Sequence, residues 1–527
     1  MSIQSLNIPT HHVQIPLILV VDEDDKILSN TPGNEWFQIL NNFNYLEYIQ
    51  IGVAYYDALY DYNIKNETNS LAENSTTETK DEAKKRLLEN RPTVDKSQPV
   101  LYQQNFIEPQ NKVTSPFSIS PGIVPERFSG RKPKCFFSLF KSFIGVSLMG
   151  RPATPYEVYQ TLISNPAFAR VCGFNPNCKS QNHFEAVPSH RKIQQFDMIM
   201  ERYGIWSTAK YAEVAKNIDN GIIEMEDTVV GDTTHYHAYA NFEVVKGKDE
   251  TGKKITKSQS KVTKNCRCEN QQECEHEYVL SDDGAGTIVK SGNKMYFGHK
   301  ASVVGFPSQG IPLDVRAVSD AATNDGETFF PHIQDFFLNI PSIKPHIKKA
   351  LYDSACYRDD VKTQFKEEFG IDLKASINPR RKQTIEKELP RGMNKLTPYG
   401  ELICNEGIEM EYQGIRLKSE SFIYGAPKDD NGKVSCNTCC QKEECCPKAM
   451  KGRTVNIPFY LLPHIDETDP PMGKRFKALM TRRPSVERMI KRLKCDLGDD
   501  RLNKRGNSSF QAYLDKTLLA YQILIRS

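Results

Sequence analysis

The chain has 527 residues, of which 39% are hydrophobic and 26% are charged, with 14 cysteines and a formal net charge of +3. This composition is typical of a folded protein of about three domains, and it excludes a chain that is disordered throughout. The longest apolar runs, such as residues 15–21, are far shorter than the ~20 residues that cross a bilayer. The first residues lack a basic stretch followed by an apolar one, so we expect a protein that is neither exported nor bound to a membrane.

The near-neutral net charge conceals two segments of opposite sign. Residues 22–90 hold fourteen acidic and six basic side chains, whereas residues 474–505 hold twelve basic and four acidic ones. An excess of eight positive charges in the second segment favours a surface that binds the phosphate backbone of nucleic acid. The alternative is a solvated helix face whose charges pair with one another.

Two regions precede the first predicted strand. Residues 1–130 form an acidic, aromatic-rich segment followed by a polar linker at about 63–98, in which one short helix is predicted at 80–88. Residues 131–220 carry apolar side chains at helical spacing and are predicted to form a compact helical module.

Helix boundaries in this module have clear local signals. Thr154, Pro155 and Glu157 supply an N-cap, a first-turn proline and a capping-box acid, which predict the start of one helix. Ser189 and Gly204 bracket a second helix in a similar way.

After the helical module the pattern changes to strands. A β-branched and aromatic run at 229–245 predicts a strand or hairpin, and further strands are predicted at 287–289, 294–306 and 312–315. Short strands then alternate with helices, the first of them a helical stretch at about 332–350. This order predicts an α/β fold with a mixed sheet flanked by helices.

The remaining boundaries follow from composition. Residues 221–380 are predicted to form the first part of the core, interrupted by a polar, Cys- and His-containing insert at 246–284. Residues 381–465 form a β-rich, cysteine-containing insertion, and residues 466–527 return to the core as its C-terminal helices.

Three carboxylates lie at positions where an acidic side chain is unusual unless it binds a partner. Asp232 lies inside a predicted strand, Asp353 ends a short buried strand, and Glu487 lies in the first turn of a densely basic helix. Phosphoryl transfer uses two or three carboxylates that converge on two Mg²⁺ or Mn²⁺ ions. The alternative for any one of these residues is a solvated or capping acid.

The basic helix places cations on the same face as its glutamate. Arg483 lies four residues before Glu487, and Lys494 lies seven residues after it, so the three side chains share a face. With Arg488 and Lys491 on the same helix, these cations are predicted to hold DNA phosphates.

His299 and Lys300 lie on a predicted strand near this face. They are either a further DNA contact or an exposed pair on an edge strand.

Several segments resemble those of one enzyme family. The spacing of Met480, Arg483, Glu487 and Lys494 resembles the Tyr-x2-Arg-x3-Glu-x6-Lys signature of DDE transposases of bacterial insertion sequences, with methionine in place of the tyrosine. "VVGDTTHYHAY", "YFGHKASVV" and "ALYDSACYRDD" resemble the family's two aspartate segments and the strand between them. The resemblance covers about residues 134–527.

The resemblance implies a ribonuclease H-like core, with a helical N-terminal DNA-binding module at 131–220 and a β-rich insertion between the second aspartate and the glutamate. In such a core Asp232, Asp353 and Glu487 would bind two Mg²⁺ or Mn²⁺ ions. The implied activity is DNA cleavage and strand transfer at the terminal inverted repeats of a mobile element, by a homodimer that also binds target DNA. The implied location is the nucleoid in the cytoplasm of a prokaryote.

Two alternatives remain open at this point. One is a hydrolytic DNA nuclease that uses the same three acids. The other is a non-catalytic, zinc-containing DNA-binding protein derived from a transposase.

The cysteines fall into two clusters that could hold structural zinc. Cys266, Cys268, Cys274 and His276 lie within eleven residues of a polar insert that has little core of its own. The alternative is a loop of free thiols. A second candidate site lies in the β-rich insertion, where any four of six cysteines could hold zinc: Cys404, Cys436, Cys439, Cys440, Cys445 and Cys446. Cys436, Cys439, Cys445 and Cys446 are the four that we predict.

Overall fold

The computed structural model describes residues 35–74, 133–178, 186–248, 254–260, 262–264, 278–282, 284–290, 294–378, 389–428, 431–448 and 452–527. Within these ranges the chain forms a layer of helices, a six-stranded mixed sheet with its own helices, and a five-stranded antiparallel sheet. The predicted mixed α/β fold is therefore confirmed. Across the same ranges, the helices are too short or too polar to cross a membrane.

In the described residues, seven helices precede the mixed sheet. They are α1 (Glu35–Asn41), α2 (Ile49–Asn74), α3 (Phe136–Leu148), α4 (Pro155–Ser164), α5 (Pro166–Val171), α6 (His190–Arg202) and α7 (Ile205–Asp219). The Thr154 hydroxyl accepts a hydrogen bond from the Glu157 amide at 3.2 Å, so α4 begins where the capping signal predicts. Helix α6 lies between Ser189 and Gly204, and the φ angle of +65° at Gly204 requires a residue that tolerates left-handed backbone.

Helices α1 and α2 belong to the same hydrophobic core as α3 to α7. Helix α3 is buried on every side, so it needs cover on the face that α4 to α7 leave open. The ring of Trp36 lies 5.7 Å from that of Phe168, and the Tyr56 hydroxyl accepts a hydrogen bond from the Phe136 amide at 3.0 Å. This corrects the predicted separation of residues 1–130 from the module at 131–220.

The predicted linker at 63–98 also needs correction. Its first part, up to Asn74, is the continuation of α2. The short helix predicted at 80–88 lies outside the described residues.

The mixed sheet contains β1 (Thr228–His237), β6 (Gly286–Lys290), β7 (Lys294–Phe306), β8 (Ile311–Ala317), β9 (Lys349–Tyr352) and β10 (Asp372–Ala375). Its strand order is β10-β9-β1-β7-β6, and β8 also pairs with β7. Strand β1 is antiparallel to β7 but parallel to β9, and β9 is parallel to β10.

The predicted run at 229–245 is two strands that do not pair with each other, since β2 (Phe242–Lys248) pairs with β3 (Lys254–Ser260) instead. A second short pair joins β4 (Val262–Lys264) and β5 (Tyr278–Leu280).

Two helices connect the strands of this sheet. Helix α8 (Asp325–Asn339) follows β8, and α9 (Asp359–Phe369) joins β9 to β10. The sequence predicted helix at 332–350, but α8 begins seven residues earlier, because the Asn324 side chain accepts a hydrogen bond from the Gly326 amide at 2.9 Å and so caps it. It ends at Asn339, and the following apolar residues are buried in turns that lead into β9.

The β-rich insertion is an antiparallel sheet in simple chain order. Its strands are β11 (Met393–Leu396), β12 (Leu402–Cys404), β13 (Glu409–Arg416), β14 (Ser421–Gly425) and β15 (Thr454–Pro458). The connection from β14 to β15 carries five cysteines and the single-turn helix α10 (Lys442–Cys445).

Three helices complete the chain: α11 (Lys474–Met480), α12 (Ser485–Lys491), which continues as a π-helical turn to Asp496, and α13 (Asn507–Leu524). Helix α13 lies between the helical layer and the mixed sheet. Asp515 accepts a hydrogen bond from the Ser207 hydroxyl of α7 at 2.7 Å, while Gln511 donates to the Val315 carbonyl of β8 at 3.0 Å. The helical layer and the mixed sheet are therefore joined through α13.

Candidate active site beside Asp232 of β1 and the end of β9

Two carboxylates lie beside each other on neighbouring parallel strands. The register pairs Val230 of β1 with Leu351 of β9, and Asp232 and Asp353 each follow two residues later. Because β1 and β9 run in the same direction, this spacing brings both side chains to the same edge of the sheet. The Asp353 carboxylate accepts a hydrogen bond from the Ala355 amide at 2.9 Å, which fixes the turn that leaves β9.

The first turn of α8 brings a third carboxylate to this edge. At Gly231 an added Cβ would lie 2.3 Å from a ring carbon of Phe329, and at Gly326 it would lie 2.4 Å from the Ala355 carbonyl oxygen. The two glycines therefore allow α8 to pack against both aspartate segments, which places Asp325 near them. The sequence did not point to Asp325, since an acid at a helix start is common and has an ordinary explanation.

The electrostatic environment of this edge is acidic. Burial, opposed by Arg483 and reinforced by the charges of Asp353 and Asp325, raises the pKa of Asp232 to about 6. Burial also raises the pKa of Asp353, and the charge of Asp325 adds to the increase. Carboxylates with raised pKa values in one place favour the binding of a cation.

Arg483 supplies a positive charge at this edge. Its Nη2 lies 2.6 Å from Asp232 Oδ2, and its Nη1 lies 3.5 Å from Glu487 Oε1 on the next turn. Glu487 itself points outward, with 64% of its side chain exposed. Helix α12 is held in this orientation by Val486 and Met489, which are fully buried against the sheet.

The other predicted DNA-binding cations of this helix divide into two groups. Arg488 and Lys491 are exposed. Lys494 is half-buried: its Nζ donates to the His235 carbonyl, lies 3.8 Å from Asp500 and lies 5.1 Å from the ring centre of Tyr236. The structure therefore presents two of these side chains to a ligand and holds Lys494 against the end of β1.

His299 and Lys300 do not form the surface that the sequence suggested. His299 is fully buried, with its ring nitrogens 3.0 Å from Asp282 and 3.1 Å from Asn507. Lys300 is buried as well and donates to Asp325 at 2.8 Å. Strand β7 is paired on both sides and both side chains are buried, so the pair does not lie exposed on an edge strand and is not presented to DNA in this structure.

Carboxylate oxygens are the ligands that Mg²⁺ and Mn²⁺ prefer, so the donor chemistry of Asp232, Asp353 and Glu487 fits such ions. The arrangement of the side chains differs from a formed metal site, because the Arg483 guanidinium lies between Asp232 and Glu487. Throughout the described part of the chain, no three His, Cys, Asp or Glu side chains are placed so that they could hold an ion.

The cysteines of the β-rich insertion meet around one small cavity of about 30 Å³. Cys404 from β12 lines it together with four cysteines of the connection between β14 and β15: Cys436, Cys439, Cys445 and Cys446. Arg453 donates to the Cys445 sulfur at 3.0 Å. Burial, followed by the neighbouring thiols of Cys436 and Cys445, raises the pKa of Cys446. The first predicted cluster, Cys266, Cys268, Cys274 and His276, lies outside the described residues.

Comparison with known proteins adds one weak structural likeness. No family model matches the sequence, and no curated protein matches it. A chain in the cryo-EM structure of the piggyBac transposase synaptic complex with hairpin DNA aligns weakly with this one, with a TM-score of 0.31 and 7% identity. The match covers 73% of this chain and 64% of that chain. At this TM-score the likeness carries no weight for the function of this protein.

Proposed function

We propose that this protein is a DNA transposase that cleaves and transfers DNA strands at the ends of a mobile element, using Asp232, Asp353 and Glu487. The observation that carries the proposal is the placement of Asp232 and Asp353 side by side on parallel strands, with the basic helix α12 seated against them. The resemblance of the four sequence segments in their order supports the same activity. The antiparallel and parallel pairing in one sheet supports a ribonuclease H-like core.

Asp232, Asp353 and Glu487 are the residues that would hold two Mg²⁺ or Mn²⁺ ions. When bound, the ions supply electrostatic stabilisation of the charge that develops on the reacting phosphate. The exposed side chains of Arg488 and Lys491 bind the DNA backbone beside the carboxylates, and Arg483 and Lys494 orient the strand. The helical layer binds the element ends, and two copies of the chain assemble around them in the cytoplasm of a prokaryote.

The proposal is tested by incubating the protein with Mg²⁺, a labelled duplex of the terminal inverted repeat and a target plasmid. We expect a joined product for the wild type and none for Asp353→Asn, because asparagine can keep the hydrogen bond to the Ala355 amide while losing the charge. Asp335→Asn, a partly exposed acid of α8 paired with Arg316, is the matched control and should retain activity.

Each other outcome has a defined meaning. Cleavage without joining would indicate a hydrolytic nuclease that uses the same acids. Binding of the duplex without cleavage, equal for the wild type and Asp353→Asn, would contradict the enzymatic proposal and favour a non-catalytic DNA-binding protein.

A further inference from the structure

Arg483 lies among the three carboxylates of the candidate site and offsets their mutual repulsion. It contacts Asp232 at 2.6 Å and Glu487 at 3.5 Å, and its charge lowers the pKa of Asp353 against the effect of burial. One guanidinium therefore interacts with all three proposed metal-binding carboxylates. Its side chain is 22% exposed, so it can be reached from solvent.

The hydrogen bonding of Arg483 is incomplete. Its Nε is buried without a hydrogen-bond partner, while one terminal nitrogen makes the short contact to Asp232. A guanidinium makes its strongest interactions as a bidentate donor to a carboxylate or a phosphate. A DNA phosphate can therefore accept more hydrogen bonds from Arg483 than Asp232 accepts in the DNA-free chain.

The neighbouring arginines have other partners. Arg482 pairs with Glu226 at 2.5 Å and donates to the Ser308 hydroxyl at 2.8 Å. Arg492 donates to the Gly310 carbonyl at 2.7 Å and to the Tyr521 hydroxyl at 2.9 Å. Of these three arginines on the basic segment, Arg483 is the one that contacts the proposed metal ligands.

We infer that Arg483 is an internal counter-cation that occupies the carboxylate site in the DNA-free protein, and that a DNA phosphate draws it away so that divalent metal can bind. The inference rests on the proposed carboxylate metal site and describes its regulation. Metal binding is then coupled to DNA binding, and by linkage DNA must bind more tightly in the presence of metal by the same factor. The carboxylates stay neutralised until a DNA end is present.

The test measures Mn²⁺ affinity by the loss of the free-ion electron paramagnetic resonance signal, which does not depend on turnover. Without DNA, Arg483→Gln should bind Mn²⁺ about tenfold more tightly than the wild type, since a coupling of this kind is typically 5- to 150-fold. Arg483→Lys, which keeps the charge, should remain close to the wild type. Arg482→Gln, a matched change one residue away, should also leave the affinity unchanged.

A short duplex of the terminal repeat provides the second arm. It should raise the Mn²⁺ affinity of the wild type towards that of Arg483→Gln, and it should have a much smaller effect on the variant. Equal affinities of the wild type and Arg483→Gln, with or without DNA, would overturn the inference alone. If neither protein binds Mn²⁺ above the level of Asp232→Asn, the proposed metal site fails and the inference fails with it.

Discussion

Asp232 carries its charge where water reaches only part of the side chain, which is 17% exposed. Its pKa is 3.8 without the fold and about 6 within it, because burial outweighs the contact with Arg483. Between these two values folding takes up a proton at Asp232, so the free energy of unfolding falls as the pH rises from about 4 to 6. Above pH 6 the charged side chain opposes folding, which is the behaviour of a residue kept for binding rather than for stability.

We therefore expect Asp232→Asn, measured in the presence of a chelator, to raise the free energy of unfolding at pH 7 by about 1–3 kcal/mol. The gain should disappear near pH 4, where the wild-type side chain is itself neutral. Chemical denaturation of the wild type and the variant at pH 7 and pH 4 measures the change in the free energy of unfolding at each pH. Asp335→Asn, at a partly exposed acid, is the control. A gain of the same size at both pH values would contradict the assigned cause.

At the scale of elements, prediction from sequence succeeded where one local pattern decides the structure. The sequence predicts strand β7 at 294–306, because its β-branched and aromatic residues signal a strand locally, and the structure has the strand at these residues. The sequence also predicts part of the site, because the position of Asp232 inside a strand, that of Asp353 at a strand end and the four-residue spacing of Arg483 and Glu487 are local features.

Other features depend on contacts that are distant in the sequence. The burial of His299 arises from Asp282 and Asn507, the second of which is more than 200 residues away. The approach of Asp325 to the site arises from the packing of α8 on Gly231. The inclusion of α1 and α2 in the helical core arises because they cover the apolar face of α3 that the other helices leave open. A pattern within one segment carries no signal for the first two, and for the third it shows only that α3 must be covered, not which helices cover it.

The cysteine connection of the β-rich insertion gives a prediction at the same scale. Five thiols from two separate segments line one cavity, although no three of them are yet placed as ligands in the described residues. We expect zinc to draw four of them together and to fix the connection to β12. Elemental analysis of purified protein should show that Cys439→Ser loses about one zinc per chain relative to the wild type, the amount held by one structural site. Cys495→Ser, on an exposed thiol outside the insertion, is the matched control.

A parallel Cys268→Ser variant separates the two sequence-predicted clusters, because zinc lost in one variant alone belongs to that cluster. Zinc content that is unchanged by Cys439→Ser would contradict the site in the β-rich insertion. A wild-type protein purified without chelator and free of zinc would contradict both clusters.

In the whole molecule, buried charges connect the helical layer to the mixed sheet. Lys210 of α7 is fully buried and lies 2.6 Å from Asp314 of β8 and 2.9 Å from Asp515 of α13. His332 of α8 lies 3.2 Å from the same Asp314. Burial alone would raise the pKa of Asp314, but the charge of Lys210 and the hydrogen bond with His332 outweigh it and hold the pKa well below its usual value. Three elements that are far apart in the sequence therefore depend on one lysine.

Removing that lysine should destabilise both layers together. Lys210→Met leaves two buried carboxylates without their cation, a change that typically costs about 3–5 kcal/mol. Lys366→Met breaks only an exposed pair and should cost less than about 1 kcal/mol.

Both tryptophans, Trp36 and Trp206, are buried in the helical layer, so their fluorescence reports unfolding of that layer, while far-ultraviolet circular dichroism reports the whole chain. If α13 joins the layers into one cooperative unit, the two signals should change at the same denaturant concentration, and Lys210→Met should shift both equally. A fluorescence transition that moves to lower denaturant while the dichroism transition of the sheets stays in place would show instead that the helical layer unfolds independently.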